Sequence, residues 1–204
     1  RALEYAHAAT APDGTPLNIV HRDVTPTNVL ISVEGVVKLS DFGIAKAVTL
    51  EEVSADYIVG KRRYMAPEQA AGGQVDFRAD IYSLGLLLDE LLTNRLPGQK
   101  HAAGSLADEG TPEAATEKTA EDAITEVIRP IIARATRLDP NERYSSTGEL
   151  AIELERAIYG KGLGPTFVTL ADYVARLFPA IRGGAPTAAP EDRTIIHRAG
   201  AVRG

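Results

Sequence analysis

The segment HRDVTPTNVLISVEGVVKLSDFG, residues 21–43, concentrates the side chains that can do chemistry. Asp23 is followed five residues later by Asn28, and Asp41 comes thirteen residues after Asn28. Two carboxylates and an amide offer only oxygen ligands, which suit a Mg²⁺ ion that keeps several waters and shares substrate phosphates. If Asn28 and Asp41 hold the cation, the spare carboxylate of Asp23 can accept the proton of an incoming hydroxyl group.

Two short β-rich runs must position these side chains. The runs NVLIS and VVKLS are separated by Glu34-Gly35, a strand–turn–strand pattern that predicts a hairpin. Such a hairpin separates two acidic loops and can bring Asp23, Asn28 and Asp41 together. The alternative is a solvated loop in which the acidic residues occur by chance.

The order of motifs resembles that of the eukaryotic-like protein kinases. His21-Arg22-Asp23, Asn28, Asp41-Phe42-Gly43 and Ala66-Pro67-Glu68 follow one another as in the catalytic and metal-binding loops of that family. The resemblance implies that Asp23 is the catalytic base and that Asn28 and Asp41 hold Mg²⁺ for ATP. It also implies a protein hydroxyl as the phosphate acceptor.

The resemblance assigns roles to other residues of this segment. Arg22 would pair with a phosphate on the activation loop, and Phe42 would pack under the site. His21 would be a core histidine, with a metal ligand as the alternative. Thr25 stands where the family usually has the lysine that contacts the transferring phosphate, and a neutral hydroxyl replaces a point charge there. We interpret this departure as tolerated.

Residues 44–65 would be the activation loop of such a kinase. Lys46 and Arg22 could form an anion pocket for a loop phosphate. The usual phosphorylated position falls on Tyr57, and the nearer aliphatic hydroxyls are Ser54 and Thr49. Gly60-Lys61 departs from the usual Gly-Thr, which removes the familiar threonine contact to the catalytic base.

Two further contacts follow from the resemblance. Asp80 would accept backbone N–H groups from the loop around Asp23, with a simple helix N-cap as the alternative. Arg143 would form a buried pair with Glu68, for which a bidentate geometry is open to its guanidinium, with an ordinary surface arginine as the alternative.

Hydrophobic periodicity and caps predict the remaining elements. Leu3, Ala6 and His7 share one face of a helix over residues 1–10, and Ala11–Gly14 makes a turn before a short strand, Leu17–Val20. Residues 78–94 predict a buried helix. Further helices are expected over 124–136, where Pro130 starts or breaks a segment, and over 147–159, capped by Ser145 or Ser146 and ended by Gly160.

The expected fold class is mainly α (α+β), a kinase-like C-terminal lobe with short β hairpins at the catalytic cleft. Its expected extent is residues 1–159. Residues 160–204 would form a basic, partly disordered tail with one possible helix over 169–178. None of the six lysines precedes Asp23 and no G-x-G-x-x-G occurs, so we expect the nucleotide-covering N-terminal lobe to be missing from this chain.

Composition narrows the function classes. The net charge of −6 argues against a nucleic-acid binder, and no apolar run approaches the roughly 20 residues of a membrane helix. The absence of cysteine excludes disulfides and thiolate metal sites and fits a cytoplasmic location. Residues 160–204 carry a surplus of three positive charges, which can be a solvated surface or touch lipid or an acidic partner.

We therefore predict part of a protein serine/threonine kinase that uses Mg²⁺ and ATP. One alternative is a pseudokinase-like scaffold, favoured by Thr25, Tyr57 and Lys61 and opposed by the intact acidic and amide residues. Another is a kinase that acts on a small molecule. The APE motif and Arg143 oppose it, because in the family both serve a protein-substrate loop.

Overall fold

The computed structural model describes residues 1–42, 62–98, 120–160, 162, 164, 166–179 and 194–195. In these ranges the protein is mainly helical and contains one small antiparallel hairpin, which confirms the predicted fold class. No helix of the described ranges is both long and apolar enough to cross a bilayer.

Six helices and three strands lie in the described ranges. The helices are α1 Ala2–His7, α2 Pro67–Ala70, α3 Arg78–Thr93, α4 Ala120–Ala135, α5 Thr147–Tyr159 and α6 Phe167–Leu177. The strands are β1 Val29–Ser32, β2 Val37–Leu39 and β3 Thr194–Ile195, and short 3₁₀ turns cover Pro26–Asn28 and Pro140–Glu142.

The predicted hairpin is formed by β1 and β2. The strands pair antiparallel, with Leu30 opposite Lys38. Gly35 turns the chain at a φ of 78°, a conformation that glycine adopts without a steric penalty, and its N–H donates to the Ser32 carbonyl at 3.0 Å. The open end of this hairpin leads to the two acidic loops.

The strand predictions outside this hairpin need correction. Leu17–Val20 is not a strand, because Asn18 takes a φ of 48° and leaves the extended conformation. The prediction had several short hairpins at the cleft, and the described residues contain one, formed by β1 and β2. Its free edge on β1 pairs with β3, which lies in the tail over 160–204 predicted to be partly disordered. The β-branched pair Thr194-Ile195 favours a strand locally, against the Gly/Ala/Pro composition around it.

The core lies between α3, α4 and α5. Its buried residues are Ile81, Ile128, Ile131, Ile132, Ala135, Tyr144 and Leu150. Gly85 of α3 permits a close approach, because a Cβ atom there would come within 2.9 Å of the Cβ of Ala135. The prediction of a buried helix fits most of α3, but Leu91 in its last turn is 72 % exposed.

Pro130 neither starts nor breaks a segment, contrary to the prediction. It lies inside α4, which begins at Ala120. Proline removes the hydrogen bond to the carbonyl four residues earlier. Pro130 and Glu126 are both exposed, so water can satisfy that carbonyl while the opposite, apolar face stays packed.

The last two helices have clear boundaries. Ser146 caps α5 by accepting from the Glu149 N–H, and Gly160 ends the helix, as predicted. Helix α6 overlaps the expected 169–178 segment and packs on the hairpin turn, where the backbone of Phe167 and Ala171 closely approaches Gly35. The division into a lobe over 1–159 and a tail over 160–204 stays a prediction.

Arg143 joins α2 to the loops beside α3 and α5. Its fully buried side chain donates from Nη1 and Nη2 to the two oxygens of Glu68, at 2.7 and 2.8 Å. Its remaining N–H groups donate to the carbonyls of Arg137, Leu138 and Arg78. All five guanidinium donors are used, so the predicted bidentate pair is present and the surface-arginine alternative is wrong.

We expect Arg143→Ala to destabilise the chain by about 3–5 kcal/mol, because the Glu68 carboxylate would stay largely buried without its partner. Glu68→Ala should cost a similar amount, and the double variant should lose less than the sum of the two. Thermal melts of the three variants measure this. Strictly additive, small losses would contradict an energetic coupling between the two residues.

Arg137→Ala is the matched control, because Arg137 is exposed and its nearest carboxylate is 3.9 Å away. Its cost should stay below about 1 kcal/mol.

Burial acts to raise the pKa of Glu68, but the hydrogen bonds and charge of Arg143 outweigh it and hold that pKa below its ordinary 4.5. The stabilisation is therefore complete above about pH 4.5, and the cost of Arg143→Ala should shrink as the pH falls further.

Candidate active site

The carboxylate of Asp80 holds the loop that carries Asp23. Asp80 is fully buried in the first turn of α3. Its two oxygens accept hydrogen bonds from the backbone N–H groups of His21 and Arg22, each at 2.7 Å. These contacts match the sequence-based expectation. The N-cap position of α3 belongs to Phe77, so the simple N-cap alternative for Asp80 is wrong.

His21 is a core residue of this loop. Its side chain is fully buried, and its ring lies 4.5 Å from the ring of Phe42, centroid to centroid. The Asp23 N–H donates to Nδ1 at 3.2 Å, and Nε2 lies 2.9 Å from the Ser40 carbonyl oxygen. Because that carbonyl can only accept, the ring proton is assigned to Nε2. Both ring nitrogens therefore serve the backbone of the two acidic loops.

Asp23 and Asn28 are held together through the backbone. Both are buried, and Asn28 Nδ2 donates to the backbone carbonyl of Asp23 at 2.7 Å. An amide that donates through its nitrogen keeps its carbonyl oxygen for another partner. Asn28 thus fixes the position of Asp23 and can offer a neutral oxygen ligand.

Asp41 follows the residue that closes the hairpin. The Ser40 N–H donates to the Asn28 carbonyl at 2.8 Å, so the chain positions of Asn28 and Asp41 meet at the open end of the hairpin. Asp41 is exposed and takes a φ of 56°. Within the described ranges no three acidic or histidine side chains form a metal site. One amide and one carboxylate leave coordination positions to water and phosphate, as Mg²⁺ prefers.

A shallow pocket of about 10 Å³, room for a single water molecule, opens beside Asp23. It is lined by Arg22, Asp23, Val24, Thr25, Tyr64, Met65 and Ser83. Burial and a hydrogen bond to the Glu90 carboxylate raise the pKa of Tyr64, which keeps this phenol protonated. The pocket is far below the usual size of small-molecule sites, so it marks an open cleft beside the carboxylate and not a nucleotide site.

Thr25 and Arg22 border this pocket differently. Thr25 is buried, and its hydroxyl forms a hydrogen bond with the hydroxyl of Thr27 at 2.9 Å. Arg22 is exposed and takes a φ of 63°, which is uncommon for a residue with a side chain. The predicted partners of Arg22 and the hydroxyl candidates, Lys46, Thr49, Ser54 and Tyr57, lie outside the described residues, so their roles stay predictions.

Sequence reasoning missed three contributors to the site. Gln69 donates from Nε2 to the Arg22 carbonyl at 2.9 Å. His7 contacts Asp80 at 2.8 Å, although the sequence indicated only that it faces the core. Tyr64, which lines the pocket, donates its hydroxyl proton to the Glu90 carboxylate. For Gln69 and Tyr64 the one available signal was their place in the sequence, because Gln69 directly follows Glu68 and Tyr64 precedes it by four residues.

Comparison with known proteins adds a family to this geometry. The family model described as protein kinase domain matches residues 1–153, three quarters of the chain. The kinase domain of Mycobacterium tuberculosis PknI, a solved structure, is 28 % identical with a TM-score of 0.49, over 77 % of this chain and 51 % of that one.

Curated relatives are bacterial kinases. A probable serine/threonine-protein kinase of Streptomyces coelicolor is 38 % identical over 81 % of this chain and 24 % of its own length. The tyrosine-protein kinase MasK of Myxococcus xanthus is 38 % identical over 76 % and 24 %. The serine/threonine-protein kinase PrkC of Bacillus subtilis is 37 % identical over 68 % and 22 %. The chain thus spans about a quarter of the length of these relatives.

The matched residues include every part of the candidate site described above. These parts are the Asp23 loop with its bonds to Asp80, the neighbouring positions of Asn28 and Asp41, and the Arg143–Glu68 pair. This chain belongs to the protein kinase domain family.

Proposed function

We propose that the protein containing this chain is a protein serine/threonine kinase that transfers the γ-phosphoryl group of ATP to a protein hydroxyl. The observation that carries the proposal is the buried Asp23, held through its backbone by Asn28 and His21, beside a small open cleft. Transfer of this kind depends on positioning and charge stabilisation, and this loop is built for positioning.

Asp23 accepts the proton of the substrate hydroxyl in this proposal. A hydroxyl in the pocket lined by Asp23, Thr25 and Tyr64 lies within reach of the carboxylate, and the buried loop keeps that carboxylate in place. The pocket also includes Met65, next to the Ala66-Pro67-Glu68 motif that Arg143 holds. This position next to the Ala66-Pro67-Glu68 motif supports a protein acceptor over a small molecule.

Asn28 and Asp41 would hold Mg²⁺. Their donor set is oxygen only, and the Ser40–Asn28 hydrogen bond brings their chain positions together, which fits this ion. When bound, the ion neutralises charge on the transferring phosphate. The hydroxyl of Thr25, bonded to Thr27, would offer that phosphate a neutral contact in place of a lysine.

The serine/threonine specificity is supported by the names of two relatives, whereas a third relative is named as a tyrosine kinase. A pseudokinase-like scaffold is the second candidate function, because Thr25 brings no charge to the phosphate position. The cytoplasmic location stays a prediction from composition.

We expect Asp23→Asn in the complete protein to lower kcat by about 10²–10⁴-fold, because the proton acceptor is lost, with nucleotide affinity nearly unchanged. Asp41→Asn should abolish turnover that depends on Mg²⁺ and ATP. Steady-state kinetics with a phosphoacceptor peptide and nucleotide-binding titrations measure both effects. Asp13→Asn is the matched control, since Asp13 lies in an exposed turn. Near-normal rates in both site variants would favour the scaffold.

A second expectation concerns residues 1–204 alone. They contain no glycine-rich phosphate loop, and no lysine precedes Asp23, so the purified chain should not phosphorylate a generic acceptor such as casein. The complete protein, assayed in parallel with the same Mg²⁺ and ATP, is the positive control. Robust phosphate incorporation by residues 1–204 would overturn this expectation.

A third expectation concerns switching by phosphorylation. A phosphate carries about −1.5 to −2 charges and would pair with Arg22 and Lys46. We expect the modified residue to be Ser54 or Thr49 rather than Tyr57, which phosphopeptide mapping of residues 47–61 in the active protein would detect.

Charge variants complete this test of the switch. Arg22→Ala should lower activity, Arg22→Lys should retain most of it, and Arg129→Ala on the exposed side of α4 should change little. An unmodified loop in the active protein, or activity indifferent to Arg22→Ala, would exclude the switch.

A further inference from the structure

The Gln69 side chain reaches the backbone of the Asp23 loop. It lies in α2, directly after Glu68, whose carboxylate is clamped by Arg143. From there Nε2 donates to the Arg22 carbonyl oxygen at 2.9 Å. Because a carbonyl can only accept, the atom facing it must be the amide nitrogen. A donor on a fixed element thus holds the loop from the substrate side.

The bond acts on the peptide unit that joins Arg22 to Asp23. The C=O end of this peptide accepts from Gln69, and its N–H end donates to His21 Nδ1 at 3.2 Å. Arg22 takes a φ of 63°, so the peptide orientation is not one that the chain adopts by default. Hydrogen bonds on opposite edges of this peptide fix the orientation of its plane. The Asp23 side chain branches from the Cα atom that follows this peptide, so its direction depends on that plane.

The other end of the Gln69 amide has no such use. Its Oε1 atom is buried and has no hydrogen-bond partner within the described ranges. A buried acceptor without a partner is unfavourable, and an apolar side chain of similar size would avoid it. What the glutamine contributes in return is the donor that reaches Arg22.

We propose that Gln69 is a positioning residue for the phosphoryl transfer. Its amide sets the plane of the Arg22–Asp23 peptide and thereby the direction of the Asp23 carboxylate, and it links that carboxylate to the helix beside the substrate pocket. This inference rests on the kinase function proposed above.

Gln69→Met in the complete protein tests the contact, because methionine has similar length and neither donor nor charge. Gln74→Met is the matched control, since Gln74 is exposed, five residues away and outside the site. Gln69→Met should lower kcat about tenfold or more while leaving the KM for ATP within about twofold, because a misplaced base affects the chemical step. Gln74→Met should leave both constants unchanged.

A double-variant comparison separates positioning from a general structural effect. In an Asp23→Asn background, Gln69→Met should lower the residual rate by less than about twofold, because the group that it orients is gone. A kcat of Gln69→Met within about twofold of the unsubstituted enzyme would overturn the proposal. So would an equal loss in the Asp23→Asn background.

Amide hydrogen exchange gives a readout that does not need activity. The Asp23 amide should exchange at least about fivefold faster in Gln69→Met than in Gln74→Met, because its peptide plane is released. Unchanged exchange would overturn the positioning role even if the complete protein proved catalytically inert. If the unsubstituted protein is catalytically inert but Asp23 amide exchange is still faster in Gln69→Met, the kinase proposal is wrong and the positioning contact stands.

Discussion

A buried carboxylate needs hydrogen-bond donors for both of its oxygens. The contacts that satisfy Asp80 determine where the neighbouring loop and helices lie. An ionised carboxylate removed from water is costly unless it is paired or hydrogen-bonded. Asp80 is fully buried in α3 and takes its donors from the backbone of His21 and Arg22 and a further contact from His7. His7 in turn lies 3.3 Å from the Thr147 hydroxyl at the start of α5. One carboxylate therefore connects α1, α3, α5 and the loop that carries Asp23.

The same turn of α3 also contacts a second buried ionic group, Arg143. The Arg78 carbonyl, two residues before Asp80, accepts from Arg143, and Arg143 also donates to the Glu68 carboxylate in α2. Gln69, one residue further, donates to the Arg22 carbonyl in the loop that carries Asp23. The acidic loop and the segment after residue 61 are thus fixed to one helical turn by different charges. Their relative position depends on α3, which the core of α4 and α5 holds.

Local signals predicted the elements well, and contacts to backbone carbonyls escaped prediction. The turn at Gly35 and the caps Ser146 and Gly160 are determined by neighbouring residues, so the hairpin and α5 could be read from the sequence. The false strand at Leu17–Val20 failed because one φ angle, at Asn18, left the extended region. The hydrogen bond from Gln69 to the Arg22 carbonyl could not be predicted from the sequence, because every residue has a backbone carbonyl and no residue type marks the one that accepts.

Family resemblance, rather than periodicity, located the candidate site, and the backbone explains why. Arg22 and Asp41 both have positive φ angles, of 63° and 56°, at the two ends of the segment that carries Asn28. Each such residue costs about 1–3 kcal/mol and persists only where its surroundings determine it. For Arg22 those surroundings are Asp80 on its N–H and Gln69 on its carbonyl. Charge-assisted hydrogen bonds are among the stronger ones, so the buried carboxylate can offset this strain. The geometry of the acidic loops is thereby maintained by residues far away in sequence, which no local pattern encodes.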